Sequence, residues 1–269
     1  ASAAPGDGRF SCPSPELSPC SATSGDRPLV GVYLTGLKRR LLLNSTLENA
    51  VGPLLQDGYS VHFYACLVSD AKGVGNWLHV RSSGVVDPAI AHLDDEGFRR
   101  HTRDRIAAAG ACLMCMEVQH EPEPLPKMPR YNEIMNQYPP DRHPAGQRVA
   151  RVWLARERLW NATVANEKTL GTYKFLMWVR DDSHWVAPWV QPGKLLSAPQ
   201  AENTIWSSRC CQEGGISDKV VIMGRQAAPG ALMLFTNYMT GAVRGRIGGN
   251  AEAFLKGSVM KHKAKHITL

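Results

Sequence analysis

The sequence predicts an α/β fold with a mostly parallel central sheet flanked by helices. Three observations point there. "PLVGVYLTG" reads as a short buried strand, a helical segment follows it, and "SVHFYACLV" reads as a second strand. Strand, helix, strand is the unit of a parallel sheet, and the pattern recurs further along. "TYKFLMWV" is apolar with almost no polar break, as suits a central strand covered on both faces.

Taken in order, residues 1–26 form a polar, Pro/Gly/Ser-rich stem that cannot bury enough apolar surface to order itself well. One main domain is expected over residues 27–269. The first strand ends at Gly36. In "NSTLENAVGPLLQDGY", Ser45 and Glu48 have capping-box spacing, Leu47, Val51, Leu54 and Leu55 share a face, and Gly58 is a stop. Pro53 removes an internal hydrogen bond, so a kink or a late start is expected there. "DDEGFRRHTRDRIAAAGA" reads as helix and "CLMCMEV" as strand. "PAGQRVARVWLARERLWNATVANEKTLG" reads as a long helix with Val149, Val152, Trp153, Leu159, Trp160 and Val164 along one side. The Pro-rich stretch from Gln119 to Pro144 is too long for a simple connection, and loops of this length in compact domains tend to be functional or disordered. The last third reads as strand "DKVVIMG", helix "RQAAPGALMLFTNYM", a Gly-rich turn, helix "NAEAFLKGSVMKHK" and a short strand "HITL".

Composition narrows the classes. The hydrophobic content of 43% is ordinary for a globular protein. No apolar run approaches the roughly 18–20 residues of a membrane helix, so a membrane is expected only through an anchor preceding Ala1. The net charge of +7 is scattered over "LKRR", "RVARVWLARER" and "KHKAKH" rather than forming one stripe with interleaved aromatics, which argues against nucleic acid as partner. Cys12 and Cys20 lie in the stem, where a local disulfide is the natural use and implies an oxidising compartment. Sequons at Asn44 and Asn161 agree with a secretory location. Cys112 and Cys115 with Cys210 and Cys211 have poor spacing for zinc; buried thiols or disulfides are the expectation.

The chemistry concentrates at strand ends. In an open parallel sheet, ligands bind outside the carboxyl ends of the strands. Asp181 and Asp182 stand there in "FLMWVRDDSHW". Neighbouring strand residues point to opposite faces, so only one of the two is expected to face a ligand. One carboxylate with phosphate oxygens and water is how a Mg²⁺-like ion is held, and hard oxygen ligands also suit Mn²⁺. Lys38, Arg39 and Arg40 follow the first strand at the same edge and suit a diphosphate. Asp218 follows the Gly214–Gly215 turn. Glu252 opens a helix, where the dipole also favours it.

These segments together resemble the nucleotide-sugar-dependent glycosyltransferases of the GT-A type. "LVGVYLTGLKRRLLLNSTLENAVGPLLQDGYSVHFYACL" is similar to their opening, and "TYKFLMWVRDDSHW" resembles a variant of the DXD strand end. "EGGISDKVVIMGRQAA" resembles their Gly-Gly-x-(Asn/Ser)-Asp segment, and "NAEAFLKGSVMKHKAKHITL" their closing helix and strand. The resemblance implies a GT-A-like, Rossmann-like sheet and transfer of a sugar from a nucleotide-sugar donor to a glycan or glycoconjugate acceptor in the Golgi lumen. It implies that Asp182 coordinates Mn²⁺ or Mg²⁺, with Asp181 beside it toward the ribose or sugar. Thr35, Gly36, Lys38, Arg39 and Arg40 would face the nucleotide. Asp218 would be the general base or acceptor-orienting carboxylate, with Glu252 in reserve. The motif reads Arg-Asp-Asp rather than a strict Asp-x-Asp. The alternative is a catalytically silent carbohydrate- or nucleotide-binding protein on the same fold.

Overall fold

A computed structural model describes residues 27–69, 88–120, 144–189, 192–243 and 249–269. The stem with Cys12 and Cys20, and residues 121–143 of the Pro-rich stretch, lie outside the described residues.

The described chain is a mixed α/β structure built on one seven-stranded sheet in the order β3-β2-β1-β4-β6-β5-β7. The strands are β1 (Leu29–Leu37), β2 (Ser60–Val68), β3 (Cys112–Gln119), β4 (Tyr173–Arg180), β5 (Thr204–Ser207), β6 (Val220–Gly224) and β7 (Lys265–Thr268). β1 to β4 run parallel to one another. β6 is antiparallel to both β4 and β5, and β7 is parallel to β5. The sheet is therefore mostly parallel with one reversed strand.

Helix α1 follows β1 in three consecutive pieces, Leu43–Thr46, a π turn over Leu47–Val51, and Gly52–Gln56. The π turn falls just before Pro53, where a missing N–H would otherwise break the ladder. The predicted capping box is not used. The helix begins at Leu43 without a side-chain cap, and Ser45 lies inside it, where Oγ accepts from the Trp185 N–H at 2.9 Å. Next come α2 (Pro88–Ala91), α3 (Asp95–Ala108), α4 (Pro144–Leu170) and α5 (Pro192–Leu196). α6 (Ala228–Leu232), α7 (Leu234–Met239) and α8 (Ala251–Lys261) complete the set. The helix expected over residues 225–239 is broken into two between Leu232 and Leu234.

Each face of the sheet has its own core. α1, α3 and α5 cover one face, with Val32, Leu34, Phe63, Phe98, Met177 and Trp206 among the buried residues. α4, α6, α7 and α8 cover the other, around Tyr33, Trp153, Leu159, Trp178 and Phe254. Both faces of β4 are thus covered, as its unbroken apolar run requires.

A buried polar network pins α4 to the amino ends of the strands. Tyr33 donates to Thr163 Oγ1 at 2.7 Å. Tyr173 bonds both Tyr64 at 2.8 Å and His62 Nδ1 at 2.7 Å. Arg225 holds Glu167 through two bonds of 2.7 Å. Burial pushes His62 down to about 4. With α4 fixed at this end, its earlier turns are carried toward the opposite edge of the sheet.

Cys210 and Cys211 are joined to each other. Cys112 and Cys115 are each in disulfides, and Cys66 is free and buried.

Candidate active site

β1 and β4 are parallel neighbours, so their carboxyl ends meet at one edge of the sheet. β6 runs against β4, with Val220 opposite Val179. The residues just before β6 therefore arrive at that same edge. Arg180 donates its N–H to the Lys219 carbonyl at 3.0 Å and its Nη1 to Asp218 Oδ1 at 3.0 Å.

The two aspartates separate at the end of β4. Asp181 turns into the protein and is 2% exposed. Its Oδ2 accepts from the Leu37 N–H at 2.9 Å and from Arg40 Nε at 2.7 Å. Arg40 Nη2 reaches Oδ1 at 3.1 Å. The Asp181 backbone also joins the Thr35 carbonyl and the Leu42 N–H, each at 3.0 Å. Gly36, at φ +138°, leaves no room for a Cβ against this carboxylate. Burial raises the Asp181 carboxyl above its ordinary range although Arg40 and the Leu37 N–H pull it down. Asp181 thus ties the basic turn to the sheet.

Asp182 points the other way and is 29% exposed. Arg180 grips it with Nε to Oδ1 at 3.0 Å and Nη2 to Oδ2 at 2.9 Å. Arg40 Nη1 stands 3.7 Å from Oδ2. Burial raises the Asp182 carboxyl, but Arg180, Arg40 and Lys219 outweigh it and hold it below its usual value. Burial works against the Arg180 charge as well, and Asp218 and Asp182 more than offset it, leaving that guanidinium raised.

Glu252 lies in the first turn of α8, whose backbone meets the turn before β6. Asn250 caps that helix by accepting from the Ala253 N–H at 2.8 Å. Ile216 donates its N–H to the Glu252 carbonyl at 3.1 Å. Gly215 has no space for a Cβ against the Glu252–Ala253 peptide, so glycine there lets the turn and the helix meet. Burial and the neighbouring Asp218 raise the Glu252 carboxyl, Glu213 adds to the rise, and Arg180 opposes it.

Not every residue expected here joins the cluster. Lys38 turns away to α3, donating to the Leu93 carbonyl at 2.7 Å and to Asp95 at 2.9 Å. Arg39 sits part-buried in the same short turn. Thr35 is buried, and its hydroxyl has no hydrogen-bond partner.

Arg156 of α4 is a site residue that sequence reasoning missed. It is 1% exposed, lies against the face of Trp178, and brings Nη2 to 4.0 Å from Asp218 Oδ2. A signal existed. Arg156 is three residues after Trp153 and four before Trp160, which puts it on the buried stripe of α4.

The fit of a divalent cation follows from the donor set. Asp181 is buried and already accepts three hydrogen bonds, two on Oδ2 and one on Oδ1, so it is poorly placed to take an ion. Asp182 is part-exposed, and a carboxylate offers about four lone-pair sites, of which Arg180 uses two. One monodentate bond from Asp182 therefore fits. Among the described residues no group of His, Cys, Asp and Glu is arranged as a multi-ligand cage. The rest of a coordination shell would have to come from substrate oxygens and water, as is usual for Mg²⁺.

No protein-family model matches the chain, and no curated protein matches it either. Among the described residues, no helix is long and apolar enough to cross a membrane.

Proposed function

We propose that the protein is a glycosyltransferase of GT-A type, moving a sugar from a nucleotide-diphosphate donor to a hydroxyl of a glycan or glycoconjugate. One observation carries this reading. Asp182 and Asp218 come from distant segments and are both held by Arg180 at the carboxyl edge of a mostly parallel sheet, where the first turn of α8, which carries Glu252, meets the turn before β6. The basic turn after β1 agrees with the opening segment that resembles those enzymes.

The roles follow from charge and freedom. Among the described residues, Asp182 is the carboxylate offered to Mn²⁺ or Mg²⁺, and Asp181 is the strut behind it. A divalent cation, when bound, stabilises negative charge on the departing diphosphate. Arg40 and Arg180, held beside Asp182, contribute fixed positive charge at the same place. In a single displacement the acceptor oxygen forms a bond to the anomeric carbon. The bond to the phosphate oxygen breaks, and its electron pair leaves with the diphosphate. The hydroxyl proton must pass to a base within hydrogen-bond reach.

Sequence reasoning ranked Asp218 first as that base. The geometry favours Glu252. Asp218 is engaged by Arg180 and approached by Arg156, which suits an orienting role. Burial and Asp218 raise the affinity of Glu252 for a proton, and general bases work best when their pKa moves toward the working pH.

The test is release of free nucleoside diphosphate from a panel of nucleotide sugars, with Mn²⁺ and without it. Turnover of one donor that fails in Asp182→Ala supports the reading. The grip of Arg180 on both Asp182 oxygens favours a second reading, a silent binding protein. That reading predicts nucleotide binding with no release from any donor.

A further inference from the structure

We infer that the Cys210–Cys211 disulfide is a redox switch: a dithiol that reduces it releases the turn before β6 and, with that turn, the amino end of α8. Its effect on turnover rests on the transfer reading above; its effect on the turn does not.

The place is unusual for cysteine. Cysteine is among the most often buried residues, and Cys66 and Cys115 are buried here. Cys210 and Cys211 are both exposed, and they are joined across a single peptide bond. An exposed disulfide is open to attack by a thiolate, and such bonds are the labile ones. A bond between chain neighbours also closes the smallest ring a disulfide can make. The peptide between the two residues lies inside that ring, which restricts ψ of Cys210 and φ of Cys211. Cys211 sits at φ +61° and Glu213 at φ +43°, in the left-handed region that residues with a Cβ rarely adopt. Once the bond opens, nothing covalent keeps Cys211 there.

The turn carries that change onward through hydrogen bonds. Ser208 Oγ donates to the Cys210 carbonyl at 3.3 Å and stands 3.3 Å from Ser217 Oγ, next to Asp218. Gly215 donates its N–H to the Gln212 carbonyl at 2.6 Å. Asn250 Nδ2 donates to the Glu213 carbonyl at 2.9 Å, and the same side chain caps α8 by accepting from Ala253. The two residues after the disulfide are thereby tied to the Gly215 turn and to the cap of α8. When Cys211 relaxes to negative φ, the carbonyls of Gln212 and Glu213 turn away. The bonds from Gly215 and Asn250 are then lost. Asp218 lies at the end of this turn, and Glu252 lies in the helix turn that Asn250 caps.

The step balances with a dithiol as reductant. One of its thiolates attacks a sulfur of the pair, breaks the S–S bond and forms a mixed disulfide. Its second thiol attacks that bond and leaves as an oxidised disulfide. Two electrons and two protons pass to the pair, which ends as two thiols.

The test uses the full chain purified without reductant, with graded dithiothreitol as the dithiol. Alkylation of freed thiols, mapped by peptide mass, reads which bond opens. Hydrogen exchange reads the amides of Gly215, Ile216 and Ala253, with those of β1 and β4 as reference. The pair is expected to be bonded at the start and to open at a lower dithiol concentration than the bonds of Cys112 and Cys115. Exchange at the three amides should then quicken at least about tenfold, stay unchanged in β1 and β4, and return on reoxidation. Cys210→Ser combined with Cys211→Ser should match the reduced protein with or without dithiol. Turnover of a nucleotide sugar should fall at least about tenfold as the pair opens. Free thiols at both positions before any reductant overturn the inference. So does opening no earlier than at Cys112 and Cys115, exchange or turnover that ignores the opening, or loss of the whole fold in the opened protein or the serine variant. If the pair opens and exchange rises but the unaltered protein turns over no nucleotide sugar, the transfer reading fails and the switch in the turn stands.

Discussion

Replacing the twin aspartates one at a time should give opposite outcomes. Asp181 is 2% exposed and accepts from Leu37 and twice from Arg40. Removing one partner of a buried ion pair costs about 3–5 kcal/mol. Arg40 is 20% exposed and can partly rehydrate, so Asp181→Ala belongs near about 3 kcal/mol. For a domain of this size, that corresponds to a melting temperature lower by roughly 6–12 °C. Asp182 is 29% exposed, and its partner Arg180 retains Asp218 when Asp182 is removed. The loss of such a pair is worth at most about 1 kcal/mol. Asp182→Ala should therefore melt within about 3 °C of the unaltered protein while losing transfer. Thermal denaturation by circular dichroism, repeated in urea, measures both. Equal falls in the two variants, or a larger fall in Asp182→Ala, would refute the division of labour between them.

Other outcomes follow from the same geometry. Gly36→Ala should cost more than about 3 kcal/mol or prevent folding, because a Cβ would meet the Asp181 carboxylate and the backbone is at φ +138°; urea unfolding reads it. The Glu252 carboxyl binds its proton more tightly folded than unfolded, so folding stability falls as pH rises from the unfolded value through the folded one. Glu252→Gln should therefore melt higher than the parent at neutral pH while losing turnover, and an equal or lower melting temperature would count against that. His62 is the reverse case. Its folded value of about 4 lies below the ordinary 6.5, so the unfolded chain binds more protons and stability is lost as pH falls from about 6.5 toward 4. His62→Gln should remove up to about 3 kcal/mol of that acid sensitivity, which melting curves collected from pH 4 to 7 will register.

The long, strongly apolar elements were legible in the sequence, because each is set by its own pattern. β1, β2, β4 and the long α4 fall close to where their apolar residues put them. The start of α1 was not legible. It is set by Leu42, whose N–H bonds the Asp181 carbonyl across the sheet, and Ser45 serves Trp185 instead of a cap. β5 escaped notice because a run of four residues carries no period. At the site, the edge of the sheet and the acidic residues could be read from spacing. Which arginine holds which carboxylate could not. Lys38 is drawn to Asp95 by α3, a contact that no local pattern announces. Arg156 was not singled out in the sequence, although its spacing from Trp153 and Trp160 puts it on the buried stripe of α4.

The most direct test is release of nucleoside diphosphate from a panel of nucleotide sugars by the folded protein, with and without Mn²⁺, alongside Asp182→Ala and Glu252→Gln. The expected result is turnover of one donor that both substitutions abolish while the fold survives. Turnover that persists in Asp182→Ala, or a folded protein that binds a nucleotide yet releases nothing from any donor, would contradict the assignment.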